Sequence, residues 1–311
     1  MRDVIYRRLK EAGDYISGEA LSIELGVTRA ALWKHIHAME ADGAVIDSVP
    51  RRGYKLLSPP DTPLADYVRA HIRHDIPVFY RPVTASTNDD AKPASRNMQT
   101  GVFIAGEQTA GKGRKGRIWV SKPHCGVYMS FLLRPRTAPE RVAGLTLAAA
   151  VAVCRAIESV SDVSALIKWP NDIIVSGKKA AGILTESMIG MDGVDFVVCG
   201  IGVNTRSAFD SELADRAVAI TANGTLLAAA MIDRFLDAFQ EFEQDGLAPF
   251  MNEFRRRSAI SGTLTVSSPS GSETGEFAGF DDDGALLLNA HGETRRYLAG
   301  EVSLRGEHGY V

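Results

Sequence analysis

Lys168-Trp169-Pro170-Asn171-Asp172-Ile173-Ile174-Val175-Ser176-Gly177-Lys178-Lys179-Ala180-Ala181-Gly182 reads as a strand end, a turn and a returning strand. Pro170 biases Trp169 away from the helical region, so Lys168 closes a strand and Asn171-Asp172 open a turn. Asp172 precedes Lys179 by seven residues, with an apolar triplet and Ser176-Gly177 between them. That spacing suits strand, turn and returning strand, with both charged side chains at one end of a sheet. Taken alone, Asn171-Asp172 reads equally well as turn filler.

Working outward, apolar strand-like runs occupy residues 102–105, 127–133, 165–167, 173–175 and 196–203, and helical stretches occupy 138–159 and 226–244. Residues 64 to 257 therefore predict a mixed sheet with helices. Upstream lies Gly111-Lys112-Gly113-Arg114-Lys115-Gly116-Arg117-Ile118-Trp119. It lacks the G-x-x-x-x-G-K-[ST] pattern of a Walker loop, and it leads toward a strand instead of opening a helix as a dinucleotide fingerprint does. Glycines admit close backbone approach and Lys/Arg supply charge, so this segment, with Lys168 and Lys178-Lys179, asks for phosphate or carboxylate oxygens. A plain surface loop is the competing reading of the glycine-basic segment by itself.

Residues 1 to about 57 read as a separate unit. Val4, Ile5, Leu9 and Ala12 keep helical spacing. Ser17 caps a second helix that Gly26 ends, and Thr28 caps a third whose inward face is Ala31, Leu32, Ile36 and Met39. Residues 44–57 alternate as a two-stranded ribbon around Arg51-Arg52-Gly53, the wing of a winged helix-turn-helix. Arg29, Lys34 and His35 on the third helix and Arg51 and Arg52 on the wing are the candidate DNA contacts. Nine Lys/Arg against eight Asp/Glu in this unit leave only local clustering to attract DNA, and a protein-docking module is the alternative.

Residues 58–63, Ser-Pro-Pro-Asp-Thr-Pro, form a linker by composition. Beyond residue 258, short strands at 264–266, 275–280, 285–288 and 294–298, broken by Asp281-Asp282-Asp283-Gly284 and His291-Gly292, predict a small β-barrel. The boundaries read as 1–60, 64–257 and 258–311, an α+β chain. With 45% apolar and 23% charged residues and a net charge of −3, a disordered chain and a uniformly basic nucleic-acid coat are both argued against. Cys125, Cys154 and Cys199 are widely spaced, which argues against a disulfide framework or structural zinc and fits a reducing cytoplasm. The longest apolar run, 142–154, is flanked by Arg141 and Arg155. It is too short for a bilayer and reads as a buried helix.

Six motifs in order, Ser86-Thr87-Asn88, Glu107-Gln108-Thr109-Ala110-Gly111-Lys112-Gly113-Arg114, Lys168-Trp169-Pro170-Asn171-Asp172, Lys179-Ala180-Ala181-Gly182-Ile183-Leu184, Gly200-Ile201-Gly202-Val203-Asn204 and Gly300-Glu301-Val302-Ser303-Leu304-Arg305, resemble those of bacterial bifunctional biotin–protein ligases that also repress the biotin operon. The resemblance implies a winged helix-turn-helix, a class II synthetase-like catalytic domain and an SH3-like barrel. It also implies two steps. The biotin carboxylate attacks the α-phosphorus of ATP, and the resulting biotinoyl-5′-adenylate acylates a lysine of a biotin carboxyl carrier protein. ATP with Mg²⁺ and biotin are the implied substrates, without a tightly bound metal. Operator DNA and a second copy of the chain, as a homodimer, are implied partners, and no membrane is.

By the same resemblance Ser86, Thr87, Asn88, Gln108, Gly111, Lys112, Gly113, Arg114, Lys179, Gly182, Leu184 and Gly200 line the biotin site. Arg114, Arg117, Trp119, Lys168, Asn171, Lys179 and Asn204 meet ATP, with Trp119 against adenine. Lys179, Asp172 and Arg114 are the catalytic candidates, Asp172 orienting or accepting a proton from the incoming amine. Two departures stand out. Lys112 replaces the family's frequent Arg, which shifts its contact to the backbone, and Pro93 falls inside the helix expected after Asn88, which must kink or begin later. A sensing regulator without catalysis and a lipoate or octanoate ligase are the rival readings.

Overall fold

The computed structural model describes residues 1–191, 193–206, 214–268, 271–298 and 303–306. The first unit contains α1 (Arg2–Ala12), α2 (Gly18–Leu25) and α3 (Arg29–Ala41). Ser17 Oγ accepts the Ala20 N–H at 3.0 Å and Thr28 Oγ1 the Ala31 N–H at 3.1 Å, so both predicted caps satisfy orphan donors. Ile5, Tyr6, Leu9, Leu21, Leu32, Ile36 and Met39 form its core. Val4 is exposed, and the buried stripe of α1 runs through Tyr6 instead. Ala31 lies half-buried at the margin of α3. The wing is β1 (Val45–Val49) paired antiparallel with β2 (Gly53–Ser58).

Seven strands make the central sheet: β3 (Val78–Thr84), β4 (Gly101–Gln108), β5 (Gly126–Leu133), β6 (Leu166–Lys168), β7 (Asp172–Val175), β8 (Lys178–Gly190) and β9 (Gly193–Asn204). Their order is β3-β4-β5-β9-β8-β7-β6, with β3 and β4 parallel and the other neighbours antiparallel. Side chains alternate between its faces. Met129, Phe131, Ile183, Cys199, Ile201 and Val203 join the main core with the helices α6 (Val142–Val160) and α7 (Gly224–Asp245). Ser130, Leu132, Gly182, Leu184, Glu186, Val198, Gly200 and Gly202 take the opposite parity. On that face α5 (Thr87–Ala94) packs Ala91 against Phe103, Leu132 and Val198.

The apolar run at 142–154 belongs to α6, which is long and apolar enough to cross a membrane. Its residues are instead buried in the core against α7 and β8. Pro93 does not delay the start of α5. It stands next to last in the helix, where its missing N–H removes one bond of the final turn, and Ser95 and Arg96 close that end onto the Lys92 and Pro93 carbonyls.

The linker is strapped to the central unit. Asn223 Nδ2 donates to the Pro59 carbonyl, the Gly224 N–H to Asp61 Oδ1 and Thr225 Oγ1 to the Thr62 carbonyl, all at the N-terminus of α7. Short helix α4 (Ala65–Arg69) then sends Tyr67 back into the core of the first unit. After α8 (Ala248–Arg256), strands β10 (Thr263–Ser268), β11 (Gly271–Phe280), β12 (Leu286–Ala290), β13 (Glu293–Tyr297) and β14 (Ser303–Gly306) build a five-stranded antiparallel sheet in the order β13-β12-β11-β10-β14. Leu264, Val266, Phe280, Leu286 and Leu288 from this sheet extend the main core. Of the last sequence motif, residues 300–302 lie outside the described residues, and Ser303, Leu304 and Arg305 lie on β14.

Candidate active site

The site forms where α5, the ends of β7, β8 and β9, and the loop 111–119 converge on the sheet face opposite the core helices. Ser86, Thr87, Asn88, Gln108, Leu184 and Gly200 line one side of a cavity of about 50 Å³, and Lys112, Gly113, Arg114, Trp119, Asn171, Lys179 and Gly182 line the other. Residues supplied by five separate motifs thus share one space.

Register explains why Lys179 reaches it. Asp172 pairs with Gly182, so their side-chain positions share a face, while Lys179 lies three residues before Gly182 and in a regular strand would face away. The pairing slips between Ile173–Ala181 and Ile174–Lys179. The extra residue of this β-bulge turns Lys179 onto the site face. Its Nζ ion-pairs with Asp172 Oδ1 at 2.5 Å and lies 5.3 Å from the centroid of the Trp119 ring. Asp172 and Lys179 therefore meet at one sheet end, as their spacing predicts.

The glycines are where they are because side chains cross the sheet there. A Cβ on Gly200 would lie 2.2 Å from Asn88 Oδ1, and one on Gly202 2.4 Å from Trp119 Nε1. Trp119 thus lies flat on the platform of Gly182 and Gly202, its buried indole N–H without a partner among the described residues. Around it, the loop holds its shape by its own bonds. The Gly113 N–H donates to the Arg117 carbonyl and the Trp119 N–H to the Gly111 carbonyl, and Arg114–Gly116 make a tight turn. Arg114 Nη1 donates to Asn171 Oδ1 at 3.1 Å. Burial works against the Arg114 cation and holds its pKa below the ordinary arginine value, with Asp172 opposing that shift. The Lys112 ammonium pairs with Asp89 of α5 at 2.5 Å. The loop is thereby tied to α5.

On the other side a polar chain runs under the cavity. The Thr87 N–H, an orphan donor of the first turn of α5, donates to Gln108 Oε1 at 2.9 Å, and Gln108 Nε2 donates to Ser121 Oγ at 2.8 Å. Ser130 Oγ stands 2.7 Å from Thr87 Oγ1 and 2.5 Å from Asn88 Oδ1. Asn88 Nδ2 donates to Glu186 Oε2 at 2.7 Å. Ser130 and Glu186 were not legible as site residues. They enter through cross-strand register, which spacing along one strand does not reveal.

Some expected residues stand apart from the cavity. Arg117 is exposed on the outer turn of the loop, and Gly111 is buried beneath it. Asn204 is buried, with its Nδ2 donating to the Val218 carbonyl and its own carbonyl accepting from Ile220. Lys168 pairs in register with Asp172 and is 8% exposed. Burial, with lesser contributions from Lys179 and Arg117 and against the pull of Asp172, lowers its pKa to about 8. Trp169 is buried, its indole N–H donating to the Gly284 carbonyl at 2.9 Å, so the motif Lys168–Asp172 is braced by the C-terminal sheet. No group of three or more His, Cys, Asp or Glu able to hold a metal occurs among the described residues.

A second surface lies on the first unit. Arg29, Lys34, Arg51 and Arg52 are exposed and His35 is half-buried. Arg29 pairs with Glu19 at 2.9 Å. The Arg52 guanidinium lies 4.0 Å over the Tyr15 ring and 4.0 Å from Asp14. Exposed Trp33, its ring tilted against that of His37 with centroids 3.8 Å apart, adds an aromatic to the outer face of α3.

Comparison with known proteins agrees with this architecture. Residues 80–204 match the Biotin/lipoate A/B protein ligase family, residues 2–55 an HTH domain, and residues 265–305 the Biotin protein ligase C terminal domain. The Bifunctional ligase/repressor BirA of Bacillus spizizenii is 33% identical, over 97% of this chain and 98% of its own length. That of Escherichia coli is 30% identical, over 94% of each. Among solved structures, a variant of the biotin protein ligase from Aquifex aeolicus in complex with biotin superposes with a TM-score of 0.65 at 26% identity, covering 74% of this chain and 98% of that one. With its helix-turn-helix, its ligase sheet and its C-terminal sheet in the order of the matched domains, and with similarity over most of these relatives, the chain belongs to the family of bifunctional biotin–protein ligases and repressors.

Proposed function

We propose that the cavity bounded by Lys179, Arg114 and the Asn88–Gln108 chain joins the biotin carboxylate to the AMP moiety of ATP with release of pyrophosphate, and then passes biotin to a lysine of a biotin carboxyl carrier protein with release of AMP. The observation that carries this reading is the meeting of Lys179, Asp172, Arg114 and Asn171 at one sheet end beside a neutral hydrogen-bonding pocket. A carboxylate approaching a polyphosphate is repelled until fixed cations offset the charge. Lys179 bonds the biotin carboxylate and the α-phosphate while negative charge moves from one to the other. Asn171 meets the nucleotide phosphates, and Trp119 packs on adenine. Asp172 and Asn171 are the oxygen donors available to a magnesium ion arriving with the nucleotide, where it would supply further neutralisation. In the second step Asp172 orients the incoming amine and takes up its proton, which a lysine near neutral pH still carries.

Ser86, Thr87, Asn88 and Gln108 satisfy the ureido ring, whose burial without partners would be costly. Incubation with ATP and either biotin or lipoate, following pyrophosphate release, tests the assignment. Release with biotin alone is expected, release with lipoate alone identifies a lipoate ligase, and release with neither identifies a sensor without catalysis. Arg114 retains the adenylate by capping it from the loop. Replacing Arg114 with Gly is expected to leave pyrophosphate release measurable while bystander proteins in the same mixture become biotinylated, read by a streptavidin blot. Labelling confined to the carrier would remove this role from Arg114.

The three units, 1–60, 64–257 and 258–311, act as operator reader, catalytic domain and brace, in a cytoplasmic homodimer whose two-fold axis sets two recognition helices on a palindrome. The charge on α3 and the wing supports the DNA reading. In gel shifts on the chain's own biotin-gene promoter, Lys34→Ala and Arg51→Ala should each lower the slope of log affinity against log salt by about one. A parent chain without any salt-sensitive shift would leave the ligase alone.

A further inference from the structure

Glu186 of β8 lies beneath α5 and is gripped twice. Asn88 Nδ2 donates to its Oε2 at 2.7 Å and Lys92 Nζ to its Oε1 at 2.8 Å. Asn88 and Lys92 are four residues apart and share a helix face. Burial works to raise the Glu186 pKa, but the bonds from Lys92 and Asn88 outweigh it and hold the carboxyl below its ordinary range. An ionised carboxylate only accepts, and this has consequences along the whole polar chain.

Asn88 must turn its NH₂ toward Glu186 and its oxygen toward Ser130. Ser130 is placed to donate both to Asn88 Oδ1 at 2.5 Å and to Thr87 Oγ1 at 2.7 Å, but it has one proton; with that proton on the shorter bond to Asn88, the Thr87 hydroxyl is the donor at the other contact. Its other neighbour, Gln108 Oε1, is farther at 3.2 Å and is already engaged by the Thr87 N–H. The Thr87 oxygen therefore keeps its lone pairs for the cavity. We propose that Glu186 is a positioning residue for biotin: its charge sets the direction of the chain Thr87–Ser130–Asn88, so that Thr87 meets the ligand as an acceptor for a ureido N–H. This rests on the biotin reading above.

Glu186→Gln tests direction with little change of shape. Lys92 requires an acceptor, so the new amide turns its NH₂ to Asn88, Asn88 turns over, Ser130 donates to Thr87, and Thr87 faces the ligand as a donor. Biotin Kd measured by titration calorimetry should rise about tenfold to a hundredfold, the range expected when a buried hydrogen-bonding group is mismatched, while ATP binding stays at the parent value. The double variant Asn88→Asp/Glu186→Gln restores the direction, because a carboxylate at position 88 accepts both from the new amide and from Ser130, and should recover most of the lost affinity. An unchanged biotin Kd in Glu186→Gln, or a double variant no tighter than the single one, would overturn the proposal. Should Glu186→Gln fail to fold, Ser130→Ala removes the middle link with the Glu186–Lys92 pair intact. The same loss is then expected, and parent-like affinity overturns the idea. A parent chain that binds no biotin at all would sink the functional reading instead.

Discussion

Lys179→Ala is expected to lower biotin-dependent pyrophosphate release by about 10²- to 10³-fold in kcat, the cost of removing one preorganised group aimed at developing charge. The loss should fall mainly on kcat, since Lys179 acts on charge that shifts between carboxylate and phosphate, while KM for biotin depends on the chain on the other side of the cavity. The variant also strips Asp172, a carboxylate with 16% side-chain exposure, of the ammonium at 2.5 Å, which lowers stability. Combining Lys179→Ala with Asp172→Asn removes that uncompensated charge. If the double variant regains the thermal midpoint but not the pyrophosphate release, the defect is chemical. Undiminished release in Lys179→Ala would displace this residue from the centre of the reaction.

Much of the fold was readable because its signals are local. Ser17 and Thr28 cap the helices they were expected to cap, and Arg51-Arg52-Gly53 turns the wing. The apolar runs of the middle became β4, β5, β6, β7 and β9. Less readable was β3, whose exposed Phe79, Pro82 and Val83 give an edge strand no clean alternation. So was the short α8, whose Pro249 at the second helical position looks like a breaker until its place in the first turn is known.

At the site the difference is sharper. Motif order named Lys179, Asn88 and Gln108, because the chemistry needs those residue types. It did not name Glu186 or Ser130, which reach Asn88 from β8 and from β5, or Lys92, which grips Glu186 from one turn along α5. These contacts depend on which strands are neighbours and on the slip opposite Ile173, neither of which one segment encodes. Asp172 and Lys179 were paired correctly by their spacing, yet the bulge that turns Lys179 onto the proper face was not part of that reading. The ion pair of the Lys112 ammonium with Asp89 was not part of the reading either, since the loop segment gives no sign of a helix partner.

Gly200→Ala should abolish tight biotin binding at almost no change in volume. The added Cβ would lie 2.2 Å from Asn88 Oδ1, and Asn88, 3% exposed, cannot withdraw without surrendering its bonds to Ser130 and Glu186. Losing one buried neutral hydrogen bond and one to a charged group corresponds to about 10²-fold in affinity or more. The neighbouring change separates the two halves of the cavity, since the Cβ of Gly202→Ala would meet Trp119 Nε1 at 2.4 Å and leave Asn88 untouched. Calorimetric titrations should therefore show biotin affinity lost in Gly200→Ala with nucleotide affinity retained. In Gly202→Ala nucleotide binding should weaken and the Trp119 fluorescence should shift as the indole leaves its platform. If Gly200→Ala bound biotin as tightly as the parent, Asn88 would have to be mobile enough to yield, and a rigid hydrogen-bonded pocket built on this strand could not be right.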